Sequence, residues 1–264
     1  MNNGVFIPIR LDSERLPEKS LKLVNEKPIL YYLFDRILKS ESIQSKKNIV
    51  VCTTENKSDD KLESIVKEYG ANIFRGSKDD LIQRFYDANK FYKFNNILLI
   101  DGDDPLIFPE HLDLVLNEQK KFDCIYTSEL PFGLNVKSVT AKGINEVYEK
   151  YLSKFNDTGF GLYFTNSDII SAKKVNVVKF HPLLLKARLT LDYLEDFELM
   201  KKIINDLYLF DNSDYSFKTF EDYIVKNSNI LKLNLFRHNE YMERSISKIN
   251  LKYKKKDKIL KIDY

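Results

Sequence analysis

Three cations share one short segment near the start of the chain: Arg10, Arg15 and Lys19 in Ile7-Pro8-Ile9-Arg10-Leu11-Asp12-Ser13-Glu14-Arg15-Leu16-Pro17-Glu18-Lys19. A loop charged in this way suits a triphosphate, whose leaving pyrophosphate gains negative charge in the transition state. Arg offers paired donors to phosphate oxygens, and Lys offers a compact point charge. Ser13 adds a hydroxyl donor. No glycine-rich stretch precedes Lys19, so this is not a Walker loop and side chains must do much of the neutralising. Spacing alone leaves an ordinary solvated basic loop equally open.

A second group of chemistry-bearing residues is acidic. Asp101, Asp103 and Asp104 follow the apolar run Asn96-Ile97-Leu98-Leu99-Ile100, and Asp192 closes Arg188-Leu189-Thr190-Leu191-Asp192. Mg²⁺ prefers hard oxygen ligands and keeps several waters, so one or two carboxylates plus phosphate oxygens suffice to hold it. Turn chemistry before Pro105 is the alternative for Asp103 and Asp104, and it is set aside for Asp103, because strand-end aspartates from adjacent strands can converge at one point. For Glu195 and Asp196 the reading is favourable charge at a helix start.

These residues need elements to position them. Strands are predicted over 5–9, 48–53, 72–75, 96–100 and 122–127, with helices over 28–38, 59–69, 79–91 and 109–120 between them. The apolar period, Pro28 at a helix start and Gly70 at a helix end carry these assignments. The β-α-β-α rhythm predicts an α/β three-layer sandwich with a mostly parallel sheet. Such folds bind ligands at the carboxyl ends of their strands. The rule selects 10–19, Thr53-Thr54, Arg75-Gly76-Ser77 and 101–105. Residues 188–192 read as a further core strand, followed by helices over 195–207 and about 217–227. Residues 131–186 break the rhythm and read as an inserted sub-domain. The core is then 1–130 with 187–235, and 236–264 is a C-terminal tail.

Bulk composition excludes several classes. The chain has 264 residues, 43% of them hydrophobic and 31% charged, with a net charge of +3. One α/β domain with an elaboration fits that length, and the near-neutral balance gives no polyanion-binding signal, so no nucleic-acid partner is expected. The basic cluster at 253–258 reads as a solvated tail. Cys52 and Cys124 lie in apolar strand-like stretches and read as buried thiols. His111, His181 and His238 have no ligand spacing, which argues against zinc. No apolar run approaches the ~20 residues of a membrane span, and the N-terminus shows no secretory pattern, so the expected location is the cytoplasm.

The pattern I-P-x-R-x-x-S-x-R-L-P-x-K over residues 7–19 resembles the opening of the cytidylyltransferases. That family includes CMP-KDO synthetases, CMP-sialic acid synthetases and spore coat polysaccharide cytidylyltransferases. Ile9 stands where the family usually has Ala. Arg75-Gly76-Ser77-Lys78-Asp79-Asp80-Leu81-Ile82-Gln83-Arg84-Phe85 is similar to the segment after the third strand in the spore coat branch. Gly102-Asp103-Asp104-Pro105 resembles the G-D-x-P motif, and 188–196 the late R-x-T-x-D-x-x-E-D motif.

The resemblance implies a glycosyltransferase-A-like nucleotidyltransferase fold and Mg²⁺ held by Asp103 and Asp192. It implies catalytic roles for Arg10, Arg15, Lys19 and Asp103. The nucleotide pocket would comprise Pro8, Ile9, Arg10, Ser13, Arg15, Lys19 and Thr53, with Gly76, Ser77 and Asp80 on the other side. The reaction implied is transfer of CMP from CTP to a small acidic acceptor, in sugar-nucleotide synthesis for surface polysaccharides. The acceptor would be an ulosonic or nonulosonic acid, a phosphonate or a phosphate; the insertion lacks the Arg-Glu-His run of the spore coat branch, which leaves it open.

Two alternatives remain at this point. Asp101-Gly102-Asp103 spells the D-x-D with which glycosyltransferases of related architecture hold a metal, and an inactive nucleotide-binding homologue is the other. Finally, residues 131–186 carry many apolar side chains, among them Phe132, Leu134, Phe155, Phe160, Tyr163, Phe164 and Leu184. A small excursion cannot bury all of these, and related cytidylyltransferases commonly dimerise at this point, so a homodimer through this segment is expected. Folding back onto the core is the alternative.

Overall fold

The structure is a computed structural model that describes residues 2–208 and 213–262. Its first half runs β1 (Asn3–Pro8), β2 (Leu23–Val24), β3 (Lys27–Pro28), α1 (Ile29–Ile37), β4 (Ile49–Thr54), α2 (Asp60–Tyr69), β5 (Asn72–Gly76), α3 (Leu81–Tyr92), β6 (Asn96–Leu99) and α4 (Pro109–Asn117). Next come β7 (Cys124–Tyr126), β8 (Lys137–Thr140), α5 (Ala141–Lys150), α6 (Leu162–Thr165) and β9 (Ala172–Lys174). The chain continues through α7 (Leu194–Leu207), α8 (Phe217–Lys226), α9 (Arg237–Lys248) and the hairpin β10 (Lys252–Lys255) and β11 (Lys258–Lys261).

Seven strands form one sheet in the order β5-β4-β1-β6-β8-β7-β9. β5, β4, β1 and β6 are all parallel, whereas β8 runs antiparallel to both β6 and β7. The side-chain alternation of β1 explains the layers. Val5 and Ile7 face a cluster with Leu33 and Phe34 of α1, Leu62 and Val66 of α2, and Leu112 and Val115 of α4. Phe6 faces the opposite cluster with Ile82 and Phe85 of α3 and Ile144 and Val147 of α5. Helices on both faces require strands that are apolar throughout, which is how β1 and β4 read. A third cluster joins α7 and α8 to Leu106, Phe108, Leu189 and Leu191.

The strand order places the site. From β1 the chain moves out through β4 to β5 and returns to β6 on the other side of β1. The loops after β1 and β6 therefore leave a crevice between them at the carboxyl ends of the strands. Residues 9–19 and 100–108 are those loops.

Three expectations need correction. Residues 188–192 are not a strand; only a single parallel bridge ties Phe132 to Arg188, because Leu189 and Leu191 pack into the third cluster beside the sheet rather than within it. Residues 131–186 do not stand apart from the sheet, since β8 is one of its inner strands. Its sequence, Lys-Ser-Val-Thr, has one aliphatic residue and so carries almost no strand signal. The described part of the expected C-terminal tail, 236–262, is a helix and a hairpin, with Leu251, Tyr253 and Ile262 buried; residues 263–264 lie outside the described residues. The apolar side chains of 131–186 are mostly spent within the chain: Leu134, Tyr163, Phe164 and Leu184 are fully buried, whereas Phe155, Val178 and Leu185 are exposed.

His111, in the first turn of α4, is 5% exposed and packs edge-on against Phe108. Burial, reinforced by the nearby Arg36 cation, pulls its pKa from the usual 6.5 down to about 4. The folded state thus binds this proton less well than the unfolded chain. The resulting stability is present above pH 6.5 and is lost as pH falls to about 4, on the order of 3 kcal/mol. Urea denaturation across that window should show a shallower pH dependence for His111→Gln than for the native protein.

Candidate active site

The β1 loop starts under tight control. Ile9 N–H continues the ladder by donating to the Cys52 carbonyl at 3.2 Å. Asp59, ahead of α2, then catches the loop: one carboxylate oxygen accepts from Leu11 N–H at 2.9 Å. The other accepts from Thr53 Oγ1 at 2.8 Å and from Thr54 N–H at 3.2 Å. Burial opposes the charge of Asp59, but the donors of Thr54, Leu11 and Thr53 outweigh it and hold its pKa below the usual range. The cationic loop is thereby fastened to the end of β4.

A cavity of about 510 Å³ opens at the crevice. Pro8, Ile9, Arg10, Ser13, Arg15, Lys19, Asp103 and Asp192 all line it. Thr53, Gly76, Ser77 and Asp80 do not line it, although the neighbouring Lys78 and Asp79 do. Thr53 is engaged by Asp59, as above. Asp80 caps α3 by accepting from Gln83 N–H at 3.0 Å, and also accepts from Tyr151 OH at 2.8 Å and Asn156 Nδ2 at 2.7 Å. The 77–78 turn is clamped by Arg84, which is 2% exposed. Its guanidinium donates to the carbonyls of Ser77 at 2.7 Å, Lys78 at 2.7 Å and Cys52 at 3.2 Å. Arg84 therefore shapes a cavity wall instead of lying on a solvated helix face.

The charged centre joins the two ends of the core. Lys19 Nζ donates to Asp103 Oδ2 at 2.8 Å and to Asp192 Oδ1 at 2.9 Å. Arg15 donates to the same Asp192 oxygen. Burial works against the Lys19 charge, yet Asp103 and Asp192 prevail and hold its pKa up at about 12. Burial likewise works against ionised Asp192, and Lys19 and Arg15 prevail, holding its pKa down. Backbone bonds bring the two carboxylates together: Leu191 N–H donates to the Asp103 carbonyl at 2.7 Å, with Thr190 Oγ1 at 3.4 Å. Gly102 is needed at the turn, because a Cβ there would lie 2.3 Å from Ile9 Cγ1 and 2.9 Å from the Pro8 carbonyl oxygen. Burial raises the pKa values of Asp101 and, further, of Asp104, so these two differ electrostatically from Asp103 and Asp192.

Behind Asp192 lies a buried network that the helix-start reading of Asp196 understates. Arg188 donates to Asp192 Oδ2 at 3.1 Å and to both oxygens of Asp196 at 3.0 Å. Asp196 also accepts from the N–H groups of Asp192 at 2.9 Å and Tyr193 at 3.0 Å. Asn234 Nδ2 completes the network with bonds to the Arg188 carbonyl at 2.9 Å and Asp196 Oδ1 at 2.8 Å.

The cavity has two further walls that the motifs did not indicate. Asp157, Thr158, Gly159 and Phe160 form one, and Tyr241, Arg244, Ser245 and Lys248 form the other. The second set is spaced i, i+3, i+4, i+7, one face of α9. That period was the available signal, but it is written in polar residues, so an apolar-period search passes over it.

The comparisons fit this geometry. The family profile described as cytidylyltransferase matches residues 5–233. The chain belongs to the cytidylyltransferase family. It is 29% identical over 235 residues to an uncharacterized protein of Methanocaldococcus jannaschii, covering 87% of this chain and 93% of that one. It is 26% identical to the spore coat polysaccharide biosynthesis protein SpsF of Bacillus subtilis, covering 77% of this chain and 87% of that one. Against 3-deoxy-manno-octulosonate cytidylyltransferase 2 of Hydrogenovibrio crunogenus it is 31% identical, covering 64% and 66%. Among solved structures, a cytidylyltransferase from Leptospira borgpetersenii superposes with a TM-score of 0.76 at 28% identity, covering 88% of this chain and 97% of that one. The sandwich is thus the nucleotidyltransferase fold that the opening motif implied.

In this cytidylyltransferase, removing one member of the Arg188 network strands the others without water. Asp196→Ala should lower unfolding stability by roughly 3–5 kcal/mol, as for breaking a buried ion pair. Glu195→Ala, whose partner Arg237 is at the surface, should cost far less. Urea midpoints for the two variants check the contrast.

Proposed function

We propose that this chain transfers CMP from CTP to a small acidic acceptor. The observation that carries the reading is the cavity in which Lys19 bridges Asp103 and Asp192 with Arg10 and Arg15 beside it. An acceptor oxygen attacks the α-phosphorus of CTP and forms the new P–O bond. The bond from the α-phosphorus to the β-phosphate's bridging oxygen breaks, pyrophosphate leaves with that electron pair, and the acceptor proton passes to solvent. Arg10, Arg15 and Lys19 hold the phosphates and offset the charge that pyrophosphate gains.

Mg²⁺ suits this site. Lys19 Nζ, 2.8 and 2.9 Å from two carboxylates, marks a place where a cation is favoured. Among the described residues no group of three His, Cys, Asp or Glu is placed to hold a metal, and two carboxylates are enough for an ion that keeps waters and phosphate oxygens. Asp103 and Asp192 would hold it, and it would supply charge neutralisation and alignment at the α-phosphate. A D-x-D sugar transferase would use Asp101 with Asp103. The carboxylates that share a cation here are instead Asp103 and Asp192, which favours nucleotidyl transfer.

CTP with Mg²⁺ should raise the melting temperature more than ATP, GTP or UTP, since a ligand at a hundredfold excess over its Kd adds about 2.7 kcal/mol. Pyrophosphate release with CTP across an acceptor panel tests the reaction itself. Equal shifts with all four nucleotides would leave only a generic phosphate site.

Asp103→Asn keeps the shape of the side chain and removes its charge. It should lower turnover roughly a hundredfold or more while leaving the thermal midpoint nearly unchanged. A variant that kept most of its activity at saturating Mg²⁺ would make Asp103 a turn residue.

A further inference from the structure

α9 begins beyond the residues 5–233 that the family profile matches. Contacts at one end fix it over the charged centre. Arg237 donates to Glu195 at 2.9 Å, and the Tyr241 ring lies 4.6 Å from the Arg188 guanidinium and 5.4 Å from that of Arg15. From Tyr241 the face runs outward through Arg244 to Lys248, two turns or ~10 Å along the axis. One end of the face thus lies beside Asp192, and the other end is cationic.

An in-line displacement puts the incoming oxygen across the phosphorus from the leaving group. The acceptor therefore needs a wall other than the loop that holds the pyrophosphate. Two walls remain. The 157–160 wall offers an acid, Asp157, already paired with Arg10 at 3.1 Å, and it would repel an anion. The α9 wall touches the first loop at Glu14 and Arg15, so in-line geometry alone does not select it; its cations do, because they have capacity to spare. Among the described residues the Arg244 guanidinium pairs with the exposed Glu14, a solvent-screened pair that is readily exchanged, and its Nε is buried without a hydrogen-bond partner. Lys248 is exposed and has no ion-pair partner among the described residues. Of the other cavity cations, Arg84 is engaged by backbone carbonyls; Lys78 is in a solvent-screened pair with Asp12 at 3.3 Å but, unlike Arg244, has no buried nitrogen left without a partner.

We propose that Arg244 and Lys248 of α9 bind the acidic group of the acceptor while its reacting oxygen lies near Asp192. This deepens the cytidylyl-transfer reading and rests on it. Steady-state pyrophosphate release with CTP and Mg²⁺ tests it. The panel contains ulosonic and nonulosonic acids, sugar phosphates and phosphonates, each beside its neutral ester or free sugar. The native protein should use an acid and not its neutral counterpart. Arg244→Gln combined with Lys248→Gln should raise the KM of that acid about tenfold or more, as expected for losing charge-assisted hydrogen bonds. The KM of CTP should stay within about twofold, and Arg244→Lys should recover part of the loss. A rise in the KM of CTP instead would assign α9 to the triphosphate and overturn the proposal, as would equal use of neutral acceptors. A CTP-induced thermal shift with every acid inert would overturn it while leaving CTP binding intact. Absence of both the shift and turnover would remove the cytidylyl reading, and this proposal with it.

Discussion

Asp192 is 1% exposed. A carboxylate so placed stays ionised only if surrounding charge and donors replace water. Here the replacements come from three parts of the chain. Lys19 and Arg15 arrive from the first loop, Arg188 from the segment just upstream, and Asp196 steadies Arg188 from α7. The first loop also meets the late segment through Leu16, which shares the third apolar cluster with Leu189 and Leu191. Their charge pairing closes the cavity above that contact, so the assembled site depends on one buried ionic cluster.

This cluster also explains how the site can be held ready for an anionic substrate without its cations repelling one another. Each of the loop's cations has an acid partner: Arg10 has Asp157, Arg15 has Asp192, and Lys19 has both Asp103 and Asp192. In the proposed reaction, a triphosphate entering the loop would exchange carboxylate partners for phosphate oxygens of like charge. Little reorganisation would then be needed, which is the condition under which fixed charges aid a transition state most. The carboxylates released from Lys19 would become available to a divalent cation, which would link loading of the nucleotide to that of the metal.

Much of this was legible in the sequence, and the reasons are specific. β1, β4 and β6 are buried on both faces and read as unbroken apolar runs, so their parallel packing and the loops at their carboxyl ends followed from pattern alone. Arg10, Arg15 and Lys19 of the motif 7–19 line one cavity with Asp103 and Asp192. What the pattern missed was written in polar residues. β8 has a single aliphatic side chain, and α9 has no buried residue, so neither shows the apolar period on which such reading depends. The segment 188–192 misled in the opposite direction. Leu189 and Leu191 alternate as a strand would, but they face the cluster around α7 and α8, and alternation does not say which core is filled.

Four residues expected on the nucleotide side, Thr53, Gly76, Ser77 and Asp80, stand outside the cavity lining for a different reason. Thr53 and Asp80 have the right residue types in the right loops, and both are consumed by neighbours: Thr53 by Asp59, Asp80 by Tyr151, Asn156 and the α3 backbone. A sequence shows which groups could bind a ligand, but not which are already satisfied internally. The converse holds on α9. Arg244 and Lys248 sit in a stretch that reads as a C-terminal tail, and their interest comes from what they lack, a full set of partners beside a cavity. Local satisfaction therefore sorts residues that hold the fold from residues left for substrate. By that measure Asp59, Asp80, Arg84, Arg188 and Asp196 build the walls, the first loop and the Asp103–Asp192 pair satisfy one another, and the spare capacity beside the cavity lies on the polar face of α9.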